Sequence, residues 1–289
     1  MRIKYHSKNK IIVFVLCSMI FVCKSDVEKR SENNNMLNLQ VRERVGENVV
    51  NRSVLWNPNN TAIIIIDMWD KHHCISAERR VAELAPFINE VVNKAREKAI
   101  LIIHAPSDCM DFYKDTEQRK RALSAPYHPA PIKFTWNNYN PDYEDPLPEK
   151  LAEPGCSCDT PEPCGPDYIA WSRQHEAINI APADIVSTDG QEIFNVFSQY
   201  EIENVILMGV HTNVCVLGRP FGIRQMVYLG MNVVLCRDLT DSYHRDPGHH
   251  FEGLTKIIAH IEKNWCPTIT SDQLTGKKPF RFAFERHDF

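Results

Sequence analysis

Two runs of apolar residues stand out in the pattern of hydrophobic and polar positions along the chain. Residues 61–66 read Thr-Ala-Ile-Ile-Ile-Ile and lead into Asp67, whereas residues 204–210 read Asn-Val-Ile-Leu-Met-Gly-Val and lead into a polar turn that reaches Cys215. Short apolar runs of this kind are typical of parallel strands that are buried on both faces. The pattern therefore predicts two central strands, each followed by a reactive side chain.

The other segments alternate between helical and strand patterns. Residues 79–98 carry apolar positions at helical spacing, and residues 100–104 form a short apolar run. The same reasoning predicts further helices at 111–123, 192–200 and 252–263, and further strands at 183–192, at 232–236 and, at the sheet edge, from Ile269. Strands that alternate with helices predict an α/β fold with a doubly wound, mostly parallel sheet.

Cys215 and Asp67 are the first candidates for chemistry. Residues 216–229 have helical character, so Cys215 would lie where a strand passes into a helix. The partial positive charge and N–H groups of a helix N-terminus lower a thiol pKa and can hold an oxyanion. Asp67 would lie at the same sheet edge and could act as a general base. The alternatives are a buried core cysteine and a helix-capping or loop aspartate.

The segment Gly-Val-His-Thr-Asn-Val-Cys-Val at 209–216, together with the strand that ends at Asp67, resembles the isochorismatase-like cysteine hydrolase superfamily. Nicotinamidases, N-carbamoylsarcosine amidases and isochorismatases belong to this superfamily, and the resemblance extends over residues 57–271. It implies a three-layer α/β/α, Rossmann-like fold and an Asp-Lys-Cys triad. It also implies a cis peptide bond between Val210 and His211.

The resemblance implies that Asp67 is the base and Cys215 the nucleophile, and that backbone groups of Val210, His211 and Cys215 form the oxyanion hole. The lysine of the triad does not carry over, because its position falls at Asp189 or Thr188. A nearby cation would favour the thiolate, so another one must replace it if the chemistry is retained. The candidates for this cation are Arg173, Arg219, Arg224 and Lys71.

Several side chains are candidates for binding the substrate. Trp69 and Trp171 would form an aromatic wall for a planar molecule, or belong to the core. His211 would face the pocket, and Arg219 would bind a substrate carboxylate. No cofactor is required, although Asp70 and His72 are weak candidates for a divalent metal site of the kind that nicotinamidases have; otherwise they are surface or pocket-rim residues.

Composition limits the class of partner. The chain has 289 residues and a formal net charge of −4. A net charge of this sign does not indicate binding to nucleic acid. The composition of 43% apolar and 24% charged residues is that of a globular protein. We expect a small-molecule substrate and, by analogy with the family, a homo-oligomer.

The N-terminus predicts export. A basic start precedes an apolar run at 11–22, which is too short to span a membrane as a helix, and Cys23 follows directly. This pattern predicts a signal peptide over 1–23, with lipoprotein processing at Cys23, plain secretory cleavage and a short membrane anchor as the alternatives. We expect a flexible tether at 24–55, a hydrolase domain at 56–289, and a location in the periplasm or on a lipid anchor.

A Pro- and Cys-rich insertion is expected at about 125–170. It contains Cys156, Cys158 and Cys164, which in an oxidising compartment would form a disulfide, with Cys74 or Cys109 as a further partner. A zinc site is the alternative.

These features predict an exported cysteine hydrolase that cleaves the C–N bond of a small amide. Isochorismatases use the same fold without a cysteine, so Cys215 favours an amidase. The alternative is a small-molecule-binding protein that kept the fold and lost the catalytic lysine.

Overall fold

The computed structural model describes residues 36–156, 164, 168–245 and 249–283. The apolar runs of the sequence form the centre of one sheet, because their residues are buried on both faces. The eight strands are β1 (Leu37–Val45), β2 (Asn48–Trp56), β3 (Thr61–Ile66), β4 (Leu101–Ala105), β5 (Ile185–Val186), β6 (Asn204–Val210), β7 (Asn232–Asp241) and β8 (Thr268–Ile269).

The strands lie in the order β2-β1-β8-β7-β6-β3-β4-β5. Every pair from β8 to β5 is parallel, whereas β1 is antiparallel to both β2 and β8. The mostly parallel, doubly wound sheet predicted from the sequence is therefore confirmed. The predicted edge strand at Ile269 is wrong in one respect: β8 lies inside the sheet, because the hairpin β1–β2 covers its other side.

Helices cover both faces of the sheet. They are α1 (Ile75–Glu97), α2 (Glu117–Ser124), α3 (Glu149–Ala152), α4 (Gly190–Gln199), α5 (Ile223–Tyr228), α6 (His250–Asn264) and α7 (Asp272–Thr275). Alternate residues of β3 face opposite sides: Ile63 and Ile65 belong to a core that contains the buried face of α1, and Ile64 and Ile66 to one that contains α4 and α5. This arrangement is the three-layer α/β/α fold.

The hairpin β1–β2 corrects the predicted tether. Residues 37–55 are not a flexible linker but two paired strands that extend the sheet. Leu37, Leu39 and Val41 are buried and alternate with polar residues, which is the period of a strand with one buried face. The alternation is short, because it ends at Val41 and the next three residues are the charged Arg42, Glu43 and Arg44.

The helix predicted over 216–229 is also shorter in the structure. A π-helical turn at Thr212–Val216 is followed by a bend, and α5 begins only at Ile223. The bend contains Pro220, and Gly222 passes so close to the preceding turn that a Cβ would lie 2.7 Å from the carbonyl oxygen of Val216. Arg219 therefore lies in the bend and not on the same helix as Arg224.

The predicted signal peptide at 1–23, the start of the predicted tether and Cys158 lie outside the described residues, and the export predictions stay predictions. Among the residues that the structure describes, no helix combines the length and the apolar character needed to cross a membrane.

Candidate active site

The ends of three neighbouring strands bring the candidate residues together. Ile66 pairs with Ala105 of β4 on one side and with Gly209 of β6 on the other. The residues that follow these positions therefore meet at the carboxyl edge of the sheet, where α/β proteins place their ligand chemistry. Asp67 is the first residue after β3, and Cys215 lies in the turn after β6.

The carboxylate of Asp67 is the centre of this group. It is fully buried, and its Oδ1 accepts a hydrogen bond of 2.7 Å from the backbone N–H of Ser107. Its Oδ2 lies 3.1 Å from Nε of Arg219. The thiol of Cys215 lies near enough to this carboxylate for the negative charge of Asp67 to raise the pKa of the thiol. The structure thus brings a thiol, a carboxylate and a guanidinium together.

Among the four candidate cations, Arg219 is the one that the structure places against Asp67. Besides Asp67, it contacts the carboxylate of Asp108 at 2.9 Å, and its guanidinium lies over the ring of Trp136 at 5.2 Å. The predicted role of Arg219 in holding a substrate carboxylate fits this geometry poorly, because its guanidinium is already engaged with two carboxylates of the protein.

The other candidate cations lie elsewhere. Arg224 is paired with Glu144, Lys71 with Glu78, and Arg173 lies near Asp70 and Glu176. Asp189, at the position expected for lysine, caps α4 by accepting a hydrogen bond from the N–H of Glu192.

The backbone around Cys215 has an unusual course. The peptide bond between Val210 and His211 is cis, at the position that the resemblance implies. Gly209, just before it, has φ +110°, and a Cβ there would lie 2.1 Å from the carbonyl oxygen of Ile66. Only glycine fits this close approach of two strands. A backbone hydrogen bond from His211 reaches Cys215 and favours its thiolate.

Burial raises the pKa of both Asp67 and Cys215, and the positive charge of Arg219 lowers both. Burial raises the pKa of Asp67, and Arg219 and the Ser107 N–H oppose this by stabilising the carboxylate. Burial also raises the pKa of the Cys215 thiol, and the negative charge of Asp67 raises it further, whereas Arg219 lowers it. Arg219 is therefore the cation that favours both anions.

Aromatic side chains pack next to this network. Trp69 is buried, and its indole Nε1 donates to the carbonyl oxygen of Ser107 at 2.9 Å. Trp171 stacks on Trp69 with 3.9 Å between the ring centroids. Trp171 therefore occupies the face of Trp69 that a planar substrate would otherwise use.

His211 is held by a second histidine. Nδ1 of His72 accepts a hydrogen bond of 2.9 Å from the backbone N–H of Cys74, so the proton of neutral His72 is on Nε2. This Nε2 lies 3.3 Å from Nε2 of His211, which must then accept. The proton of His211 is therefore on Nδ1, which is buried and has no hydrogen-bond partner among the described residues. Burial holds the pKa of His211 well below its usual value, so the ring is neutral.

Asp70 and His72, the candidates for a metal site, both have hydrogen-bond partners within the protein. The carboxylate of Asp70 accepts hydrogen bonds from the backbone and hydroxyl of Ser172, and both ring nitrogens of His72 are engaged as described above. These contacts do not fit a metal ion shared by Asp70 and His72. In the described part of the chain, the group of metal-ligating side chains that the structure brings together is Cys74, Cys156 and Cys164.

Sequence reasoning missed Ser107 and Asp108. Both follow β4, whose apolar run at 100–104 was recognised. Their position after β4 could have identified them, because side chains that follow the carboxyl end of a central strand reach the same sheet edge as Asp67.

A cavity of about 410 Å³ lies beside the turn that carries Cys215. Val214 and Asn213 line one part of it, and Trp136, which also contacts Arg219, lines another. Most of its wall is apolar, which suits a small molecule with a hydrophobic body.

Comparison with known proteins gives structural likenesses only. No protein family model and no curated protein matches the chain. A cysteine hydrolase from Pseudomonas syringae pv. phaseolicola 1448A is 17% identical, with a TM-score of 0.46 over 76% of this chain and 92% of that one. An isochorismatase family protein from Burkholderia thailandensis is 14% identical, with a TM-score of 0.43 over 76% and 97%. An isochorismatase from Pseudomonas putida KT2440 is 12% identical, with a TM-score of 0.44 over 74% and 90%.

Proposed function

We propose that this protein is a cysteine hydrolase that cleaves the C–N bond of a small amide, with Cys215 as nucleophile, Asp67 as proton carrier and Arg219 as the cation. The observation that carries the proposal is the 3.1 Å contact between Arg219 and Asp67, with the Cys215 thiol under the electrostatic influence of both charges. A nucleophile near a base, which a third group orients, is the arrangement that activates a side chain for attack.

The raised pKa of Cys215 is compatible with this chemistry. Loss of the thiol proton to bulk water would add a second negative charge next to Asp67, which burial and repulsion oppose. Transfer of the same proton to Asp67 leaves the net charge of the site unchanged. The negative charge then moves to the sulfur while Arg219 remains nearby. Burial, which raises the pKa of Asp67, makes the carboxylate a stronger base for this transfer.

The reaction would follow in two stages. The thiolate attacks the amide carbonyl carbon, and backbone N–H groups of His211 and Cys215 stabilise the negative oxygen. The proton on Asp67 passes to the leaving nitrogen, the C–N bond breaks and a thioester remains on Cys215. Asp67 then accepts a proton from a water molecule that attacks the thioester, which releases the acid and restores the thiol.

The surroundings suit a small neutral substrate that carries a hydrogen-bond acceptor. The Nδ1–H of His211 is a buried donor, and a buried donor without an acceptor costs about 1–3 kcal/mol. An acceptor on the substrate would satisfy it. The apolar cavity beside Val214 and Trp136 would receive the hydrophobic part of the molecule.

The test is a panel of small primary amides assayed for ammonia release, with intact-protein mass spectrometry to detect an acyl group on Cys215. The wild-type protein should release ammonia and form the adduct, and Cys215→Ala should do neither. Cys266→Ala is the matched control, because it removes another buried thiol from the same core. Ammonia release at the wild-type rate by Cys215→Ala would refute the proposed nucleophile.

A binding protein on the same fold is the second candidate, and the raised pKa of the buried Cys215 thiol favours it. Such a protein would be stabilised against heat by particular amides without hydrolysing them. Ligand-dependent stabilisation with neither ammonia release nor an adduct on Cys215 would select this function over the hydrolase.

A further inference from the structure

The Pro- and Cys-rich insertion docks on the bend that carries Arg219. The backbone N–H of Asn137 donates a hydrogen bond of 2.7 Å to the carbonyl oxygen of Gly218. The carbonyl oxygen of Asn137 accepts one of 2.9 Å from Nη1 of Arg224, and its side-chain amide donates to Oε1 of Gln225. One residue of the insertion is therefore bonded to the chain on both sides of Arg219.

Trp136, the preceding residue of the insertion, packs on the same bend. A Cβ added to Gly218 would lie 3.1 Å from two carbon atoms of the Trp136 ring, so the ring lies directly against this glycine. The guanidinium carbon of Arg219 lies 5.2 Å from the centre of the ring. A cation over the face of an indole ring at this distance is attracted by the ring electrons. The ring therefore contacts both the cation and the backbone that carries it.

The guanidinium of Arg219 extends from the interior of the site toward the surface. Its Nε lies 3.1 Å from the buried carboxylate of Asp67, whereas its Nη2 lies 2.9 Å from Asp108, whose side chain is 42% exposed. An ion pair at the surface is screened by water and holds a long side chain weakly. The Trp136 ring is therefore a further restraint on the guanidinium, and only 19% of the Arg219 side chain remains exposed.

We propose that Trp136 is a positioning residue, which holds the guanidinium of Arg219 against Asp67 and shields it from solvent. The inference rests on the proposed function only for the role of Arg219 as the cation of the site. A charge that is fixed and partly shielded acts more strongly on its neighbours than one that moves freely in water. Loss of the ring should therefore weaken the effect of Arg219 on Cys215, although the ring acts on Cys215 only through Arg219.

The same ring connects the cavity with the cation. Trp136 and Asn137 line the cavity of about 410 Å³, on which Val214 of the turn before α5 also borders. A substrate whose body lies in this cavity would contact the residue that positions Arg219. The insertion thus takes part both in the wall of the cavity and in the placement of the charge.

The test is a double-mutant cycle on the alkylation of Cys215, measured in the full chain by peptide mass spectrometry over a pH series. Trp136→Leu should move the midpoint of the profile upward by about 0.5–1 pH unit, the size expected for loss of one cation–π contact. Trp136→Phe keeps an aromatic face and should move it less. In an Arg219→Gln background, Trp136→Leu should have no further effect, because no cation is left to position.

Tyr143→Leu is the matched control. Tyr143 is an exposed aromatic residue of the same insertion, but its ring packs on Tyr228 and Trp265. This variant should give the wild-type midpoint. If Trp136→Leu does not fold, Gly218→Ala takes its place in the cycle, because its Cβ leaves the ring too little room on the bend.

An unchanged midpoint in Trp136→Leu would overturn the inference. An equal shift with and without Arg219 would overturn it as well, since it would show a general disturbance of the fold. In both cases Arg219→Gln by itself still tests the cation, and alkylation requires no hydrolysis, so the proposed function is unaffected. An unchanged midpoint in Arg219→Gln would instead refute the cation of the proposed function and this inference with it.

Discussion

Nε of Arg219 lies 3.1 Å from Oδ2 of Asp67, although the two residues are 152 positions apart in the chain. The basic residue beside Asp67 is thus an arginine from the bend after the turn that carries Cys215, and not a residue near Asp189. An arginine supplies positive charge at all working pH values but is a poor proton donor. Asp67 must therefore carry the protons in the proposed reaction.

Removal of the charge of Arg219 should make Cys215 harder to ionise. We expect Arg219→Gln to move the pH profile of Cys215 alkylation upward by about 1–3 pH units, because an opposite charge at this distance shifts a pKa by that amount. Arg219→Lys should lie between this variant and the wild type. The rate of iodoacetamide modification, measured at Cys215 by peptide mass spectrometry over a pH series, checks the prediction. The half-exposed Arg173→Gln is the control, and an unchanged profile in Arg219→Gln would exclude Arg219 as the cation.

Asp67 and Asp70 should differ sharply in their effect on hydrolysis. Asp67→Asn removes the proposed base and should lower kcat/KM on an amide substrate by about 10²–10⁴-fold. Asp70→Asn changes a carboxylate that binds Ser172, and its effect should be small. Steady-state ammonia release checks both variants. If Asp70→Asn lowered kcat/KM as much as Asp67→Asn, Asp70 would also be needed for hydrolysis, and a metal ion bound by Asp70 would again have to be considered.

The close approach of Gly209 to the backbone of Ile66 should make the free energy of unfolding sensitive to a side chain at position 209. Gly209→Ala would place a Cβ 2.1 Å from the carbonyl oxygen of Ile66, and we expect it to lower the free energy of unfolding by at least about 3 kcal/mol. Gly230→Ala is the matched control, since Gly230 also has a positive φ of 78° but nothing lies within 4 Å of its Cβ position. That variant should cost only about 1–2 kcal/mol. Urea unfolding measures both, and equal losses would show that φ alone matters.

The buried carboxylate of Glu144 should make the free energy of unfolding depend on pH in the acidic range. It accepts hydrogen bonds from His260 at 2.9 Å and Trp265 at 2.7 Å and pairs with Arg224, and these contacts outweigh burial and lower its pKa from 4.5 to about 2. A carboxylate whose pKa is lower in the folded than in the unfolded state stabilises the fold at pH values above its unfolded-state pKa. This contribution is lost as the pH falls toward the folded-state pKa.

Glu144→Gln should therefore be less stable than the wild type by about 3 kcal/mol near neutral pH, and the difference should shrink as pH falls from 4.5 toward 2. Urea unfolding at a series of pH values checks this. The exposed Glu153→Gln, which removes a surface pair with Arg245, should show little difference from the wild type. A gap between wild type and Glu144→Gln that stays constant with pH would contradict the proposed cause.

The central strands and their end residues could be predicted because a buried parallel strand is a local apolar pattern. The runs at 61–66 and 204–210 are buried along their whole length, so the sequence shows both the extent of each strand and the residue at which it ends. The hairpin at 37–56 was missed because most of its residues are at least partly exposed, and in β2 only Trp56 is buried. The interior position of β8 depends on that hairpin and could not be seen without it.

The sequence alone determined the fold class and the positions of Asp67 and Cys215, since burial of apolar strands and short polar turns are local properties. Only the tertiary structure decided which cation meets Asp67. Four basic residues were equivalent candidates along the chain, and only the bend between Gly218 and Gly222 turns Arg219 toward the carboxylate. The same holds for the cluster of Cys74, Cys156 and Cys164, because long-range contacts arise from packing and leave no periodic trace in the sequence.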